Sequence, residues 1–294
     1  MEPLNTLPKY NLFGLEEQDY KKAKVVVVPI PYDATLTYRS GARDGPHAII
    51  DASRNLELYS YEIGEDISKI GIYTTDEMAP DLSSPENMAK RIQKEIGILL
   101  DDGKMPLLLG GDHSIAIGAI GAFKERKKDI SIIQFDAHSD SRDEIFGSKY
   151  THASVMARVR EMYDKVVQVG LRSIDGDSAK ALNPKCTLTM EDIHGLSGKE
   201  IARKIIEATG SEIYITIDLD VLDPSEMPSV GTPEPDGLSF NQITEIIREI
   251  SKKKRLVGLD IVELSPIPYI TYPNFTAAKL AYLTLGYFFS KKKA

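Results

Sequence analysis

Six side chains in three short stretches have the chemistry to share metal ions. They are His113 in Gly110-Gly111-Asp112-His113-Ser114; Asp136, His138 and Asp140 in Asp136-Ala137-His138-Ser139-Asp140; and Asp218 and Asp220 in Thr216-Ile217-Asp218-Leu219-Asp220-Val221-Leu222-Asp223-Pro224. Asp136, His138 and Asp140 stand at i, i+2 and i+4, the spacing that turns alternate side chains of an extended segment to one face. Asp218 and Asp220 repeat that parity. Carboxylates converging on one place repel one another as bare anions, so a shared cation is the physical reason to gather them. The pattern predicts a metallohydrolase with a binuclear site. Each motif alone has a plainer reading: Asp and Ser after a strand commonly cap the next helix, and a lone His can be a hydrogen-bonded core residue. Their joint position carries the inference.

That position follows from the elements around them. Apolar strand-like runs at 25–28, 70–73, 106–109, 130–135, 165–171, 186–190, 212–217 and 256–262 alternate with helical patterns at 85–100, 115–123, 153–162, 198–208, 240–251 and 275–289. This alternation is the mark of βαβ units. It predicts an α/β fold in which a mainly parallel central sheet carries helices on both faces. No repeat, low-complexity tract or long linker divides the chain, so residues 1–294 are expected to form one catalytic domain. In open sheets of this kind, ligands collect beyond the carboxyl ends of the strands, and each acidic motif follows such a run.

Composition narrows the partners. A chain of 294 residues with 42% hydrophobic content can bury a large core, and a net charge of −8 argues against general affinity for nucleic acid or an anionic membrane. The single cysteine, Cys186, forms no intrachain disulfide and reads as a free buried thiol. Residues 1–20 lack a basic start and a continuous apolar stretch, and no run reaches membrane-spanning length, so a cytoplasmic protein is expected. The basic runs 252–255 and 291–293 read as helix ends and a solvated tail.

The residues resemble the ureohydrolases, the family of arginase and agmatinase. Beside the first two motifs, 216–237 follows the family's third signature through Asp223-Pro224, Pro228 and Gly231-Thr232-Pro233, with Thr216 in a place usually held by Ser. The stretches 29–33, Arg39-Ser40-Gly41-Ala42-Arg43-Asp44-Gly45-Pro46 and 258–263 look more like agmatinase than arginase. The resemblance implies the arginase-like three-layer fold and two Mn2+ ions per chain. His113, Asp136, Asp140 and Asp218 would hold one ion, and Asp136, His138, Asp218 and Asp220 the other. Four carboxylates and two imidazoles without thiolate suit manganese, with zinc as the second choice. Trimers or hexamers are implied by analogy alone.

Charge then suggests a reaction. Two divalent ions, four carboxylates and a metal-bridging hydroxide leave about one negative charge, which attracts a guanidinium cation. Hydroxide attack on the guanidinium carbon would release urea and an amine; with agmatine, the amine is putrescine. The resemblance implies that Asp140 orients the hydroxide. Glu263 would hold guanidinium nitrogens as a carboxylate fork. The resemblance also implies that His152, on the loop before a helix, is the proton carrier, a task for which imidazoles in general are suited, although the Gly that usually follows it is absent.

Substrate choice rests on the loop 141–150, which lacks the Ser-Gly-Asn-Leu-His pattern of arginases and so favours agmatine over arginine. Asp143 and Glu144 would attract agmatine's distal ammonium, whereas Arg142 or Lys149 would suit the carboxylate of guanidinobutyrate. His47 and His194 lie outside the motifs and read as structural or surface residues. Alternatives from other classes are a single-zinc deacetylase and a non-catalytic metal-binding relative. A dinucleotide module ranks last, because Gly110-Gly111 lacks the remaining glycines and the helix-start geometry of a dinucleotide loop.

Overall fold

In the computed structural model, which describes residues 7–291, strand and helix alternate along the chain. The strands are β1 (Val25–Ile30), β2 (Tyr59–Ser60), β3 (Glu65–Asp66), β4 (Ile72–Thr74), β5 (Met105–Gly110), β6 (Ser131–Phe135), β7 (Val166–Leu171), β8 (Thr187–Thr189), β9 (Glu212–Asp218) and β10 (Arg255–Val262). The helices are α1 (Gly45–Ser53), α2 (Pro85–Asp101), α3 (Ile115–Glu125), α4 (Val155–Met162), α5 (Gly176–Ala181), α6 (Met190–Ile193), α7 (Gly198–Ala208), α8 (Phe240–Ser251) and α9 (Tyr272–Phe289). Eight strands form one sheet in the order β4-β1-β5-β10-β9-β6-β7-β8, and every pair in it is parallel. β2 and β3 form a separate antiparallel ribbon.

The strand β1 shows how the sequence makes this sheet. Its β-branched run favours extended backbone, and all six residues are buried. Val25 and Val27 enter the core beneath one face; Val26, Val28 and Ile30 enter the core beneath the other. Pro29 is tolerated because β4 pairs only as far as Val27, so the missing N–H faces no ladder partner. The helices α2, α3 and α4 cover one face, while α1, α7, α8 and α9 cover the other. The expected α/β architecture with helices on both faces is therefore the observed one. Capping boxes begin α7 (Ser197, Glu200) and α8 (Ser239, Gln242), each satisfying backbone donors that would otherwise be orphaned.

Several expectations need correction. The strand read at 70–73 begins at Ile72, because Ile67–Ile70 forms a 3-10 turn capped by Asp66 and Gly71 turns the chain at φ 89°. The last helix starts at Tyr272 rather than residue 275, with Pro273 in the first turn, where a missing N–H costs nothing. The helix read at 153–162 opens as a 3-10 turn, His152–Ser154. No expected element corresponds to α1, and Met190 starts α6 instead of extending β8. Cys186 is half-buried, not fully buried. Of the basic runs, Lys254 is partly spent on the Ile206 and Thr209 carbonyls, within and just beyond the end of α7, and Arg255 pairs with Glu212. Residues 292–294 and 1–6 of the tail and leader readings lie outside the described residues. Among the described residues, no helix is long and apolar enough to cross a membrane.

Candidate metal centre

Four strands that are consecutive in the sheet, β5, β10, β9 and β6, end beside one another. Their carboxyl ends deliver His113, Glu263, the Asp218 and Asp220 pair, and the segment 136–140. Gly111 lets the β5 end pass close to its neighbour: a Cβ there would lie 1.9 Å from the Tyr32 carbonyl oxygen. Asp140 and Glu263 sit in left-handed backbone, at φ 45° and 68°. Such conformations cost energy for a residue with a side chain and gather at functional sites.

All six sequence-predicted ligands converge. The Nδ1 atom of His113 is 3.0 Å from Asp140, 3.2 Å from Asp136 and 3.5 Å from Asp218. That nitrogen is fully buried yet makes no well-formed hydrogen bond. His138 Nδ1 lies 2.8 Å from Asp220 and 3.7 Å from Asp136. Two sets of side chains can each offer three ligand atoms to a cation: His113, Asp136 and Asp140, and then Asp136, His138 and Asp220. Asp136 is common to both. Asp218 stands just outside the two sets and accepts the Asp220 N–H at 2.9 Å.

The electrostatics show what the cluster lacks. Burial pushes the Asp136 carboxyl well above the ordinary carboxylate range, and the charges of Asp140, Asp218 and Asp220 push it further. Burial also raises Asp218, to about 7, with Asp220 adding to the effect. Burial opposes charge on His138, but Asp220 outweighs it and raises the imidazole to about 11. His113 is raised in the same way, its burial outweighed by Asp136, Asp140 and Asp218. Asp220, despite its burial, is lowered by His138. The site retains protons to offset its own negative charge, and a bound cation would displace them.

Residues to which the sequence assigned no role brace this cluster. Gln134 donates to Asp136 at 2.5 Å, and Gln168 donates to Gln134 at 2.5 Å. His113 Nε2 is 2.7 Å from the Thr216 hydroxyl, which donates to Asp260 at 2.5 Å. Tyr214 donates to the other Asp260 oxygen at 2.7 Å. The half-buried Arg172 donates to carbonyls of Asp220 and Glu234, tying both ends of the third signature to one guanidinium. The only sequence signal for these was a polar residue inside an apolar strand, or a lone Arg after one.

Above the cluster opens a cleft of about 750 Å³ whose walls include Asp140, His152, Glu263, Glu144 and Arg142. One Glu263 oxygen accepts the His113 N–H at 2.8 Å, and the Glu263 backbone N–H donates to the Gly111 carbonyl at 2.8 Å. Burial, then Asp218 and Asp112, raise its carboxyl well above the usual range. Asp143 does not line the cleft, although sequence paired it with Glu144 as a substrate contact. It is engaged by Arg158 and, at 3.1 Å, by Lys149, which also removes Lys149. Arg142 lies at the cleft with Asp175 3.6 Å away. At the rim, Phe146 is 94% exposed at φ 50° and Tyr38 is 81% exposed. His47 and His194 are exposed and outside the cleft.

Comparison with known proteins identifies the family and the fold. The arginase family model matches residues 23–286. An N(1)-aminopropylagmatine ureohydrolase of Thermus thermophilus is 39% identical over 279 residues, covering 94% of each chain. The agmatinase of Pyrococcus horikoshii is 30% identical, covering 94% of this chain and 97% of that one. The crystal structure of agmatine ureohydrolase from Thermoplasma volcanium superposes with a TM-score of 0.83 at 32% identity, over 92% of both chains. With its fold, its converging acids and these relatives in agreement, the chain belongs to the arginase family and is a ureohydrolase-type hydrolase.

Proposed function

We propose that the protein hydrolyses the guanidinium group of agmatine to urea and putrescine at a dimanganese centre. The observation that carries this reading is the sharing of Asp136 between two adjoining ligand sets on the floor of a cleft that also holds Glu263 and His152. The donor set fits the metal: it contains carboxylates and imidazoles without thiolate, it includes a buried ring nitrogen with no well-formed hydrogen bond, and it holds protons in place of cations. His113, Asp136, His138, Asp140, Asp218 and Asp220 would hold two ions, which supply Lewis acidity and acidify a water molecule.

The remaining steps fall to the chain itself. Glu263, buried and bonded to the His113 backbone, fixes the planar guanidinium by charge-assisted hydrogen bonds. Asp140, held in left-handed backbone beside His113, accepts a hydrogen bond from the attacking water and sets its approach. His152 supplies the proton that the departing amine needs. Glu144, with no ion pair to any described residue, faces the same cleft and suits the distal ammonium.

A second substrate has a specific observation in its favour. The cleft lies within the roughly 300–1,000 Å³ that holds drug-sized ligands, and its rim carries Phe146, Tyr38 and Glu144. A longer polyamine such as N(1)-aminopropylagmatine would use that rim, where aromatic faces and a carboxylate attract a second ammonium. The test is urea release by the manganese-loaded protein from agmatine, N(1)-aminopropylagmatine, arginine and guanidinobutyrate. Agmatine is expected to be cleaved well ahead of the two carboxylate-bearing compounds. A higher kcat/KM for N(1)-aminopropylagmatine selects the second substrate, and no urea from any of the four rejects both.

A further inference from the structure

We infer that Thr35 and Asp112 lock His152 in its Nδ1–H form, so that protons enter and leave this imidazole only at Nε2. The inference rests on the reading of His152 as the proton carrier.

Asp112 is fully buried and lies one residue before His113. Its Oδ1 accepts from the Ser114 amide at 3.0 Å and from the Ser114 hydroxyl. Its Oδ2 accepts from the Thr35 amide at 3.0 Å and from the Thr35 hydroxyl at 2.9 Å. A hydroxyl has one proton to give and two lone pairs with which to accept. The proton of Thr35 goes to Asp112, because each Asp112 oxygen receives one N–H and one hydroxyl, an all-donor surround that leaves this carboxyl only the role of acceptor. Thr35 Oγ1 can therefore only accept from anything else it meets.

It meets His152 twice. The His152 backbone N–H donates to Oγ1 at 2.9 Å, and His152 Nδ1 lies 3.3 Å from the same oxygen. For that second contact to be a hydrogen bond, Nδ1 must carry the proton. The neutral imidazole then has a bare Nε2, turned away from Thr35, and the imidazolium differs from it only by a proton on Nε2. In the reaction, the C–N bond of the collapsing intermediate breaks with its electron pair staying on the amine nitrogen. That nitrogen takes the Nε2 proton, and solvent returns a proton to Nε2. Nδ1–H is unchanged throughout. Thr35 and Asp112 are positioning residues in this scheme, with no contact to the reacting atoms.

The direct test is the 15N spectrum of the imidazoles in the protein loaded with diamagnetic zinc, above the pH at which histidine ordinarily titrates. With only five histidines in the chain, His152→Asn identifies the resonances of residue 152. The wild type is expected to show protonated Nδ1 and bare Nε2. Thr35→Val should lose that preference, and Thr35→Ser should keep it. In manganese-loaded enzyme, Thr35→Val should lower kcat about tenfold or more with little change in KM, and Thr35→Ser should restore most of it. A bare Nδ1 in the wild type, or a Thr35→Val protein that keeps Nδ1–H, overturns the inference. Full turnover by His152→Asn would instead reject His152 as the proton carrier, leaving the spectrum to decide the tautomer.

Discussion

Asp140 and Glu263 are both held in left-handed backbone beside the metal cluster, and each has a separate consequence. Asp140→Ala removes the acceptor that sets the attacking water, so kcat should fall by roughly 10²- to 10⁴-fold, measured as urea release with manganese saturating. Glu263→Gln keeps an acceptor for the His113 N–H but gives up the charge that meets the guanidinium. Its kcat/KM should fall about 10- to 100-fold, the size of one charge-assisted hydrogen bond. Wild-type values for either variant would remove that residue from the proposed chemistry. At this scale the sequence was readable where an ionisable side chain ended an apolar run, as with His113, Asp136 and Asp218. Adjacent loop residues were not. Asp143 and Glu144 look equivalent in sequence, yet the first is taken up by Arg158 and Lys149 while the second faces the cleft. Asp112 stands inside its motif with no role legible there, because its partner Thr35 is 77 residues away in the chain.

Strands do more here than carry side chains to one edge. Neighbouring β9 and β10 pair Thr216 with Asp260 in register, which places the Thr216 hydroxyl between Asp260 and His113 Nε2. Opposite the Tyr214 ring, Gly258 makes room: a Cβ there would come within 2.5 Å of it, and the Tyr214 hydroxyl reaches Asp260. This arrangement orients the His113 ring so that Nδ1 faces the carboxylates. Thr216→Val keeps shape and β-branching but removes the hydroxyl, so manganese affinity should fall about 10- to 100-fold while the far-ultraviolet circular dichroism stays unchanged. Unchanged affinity in a metal titration would mean that packing alone orients His113. The sheet itself was legible because buried parallel strands read as continuous apolar runs, of which β1 and β5 are examples. Short elements were not: α6 has four residues and β2 has two, too few for a period to emerge.

For the molecule as a whole, fold and metal are expected to be linked through protons. In the metal-free protein Asp218 titrates at about 7, above an ordinary carboxylate, so the fold binds this proton more tightly than the unfolded chain does. The stability it lends is present in acid and is lost as pH rises from about 4 to about 7. His138, raised to about 11, extends the loss upward from the ordinary histidine value of about 6.5. Thermal unfolding of metal-free protein should therefore show a midpoint that falls steadily between about pH 5 and pH 9, and saturating manganese should flatten that slope. A midpoint that rises over the same interval would contradict the cluster's electrostatics. All of the proposed chemistry depends on six side chains from three strand ends gathering two cations around the shared Asp136. The most direct test is the metal content of manganese-saturated, gel-filtered protein and of its Asp136→Ala variant, by mass spectrometry. Two ions per chain in the wild type and fewer than one in the variant are expected; one ion or none in the wild type, or two retained without Asp136, would contradict the binuclear centre.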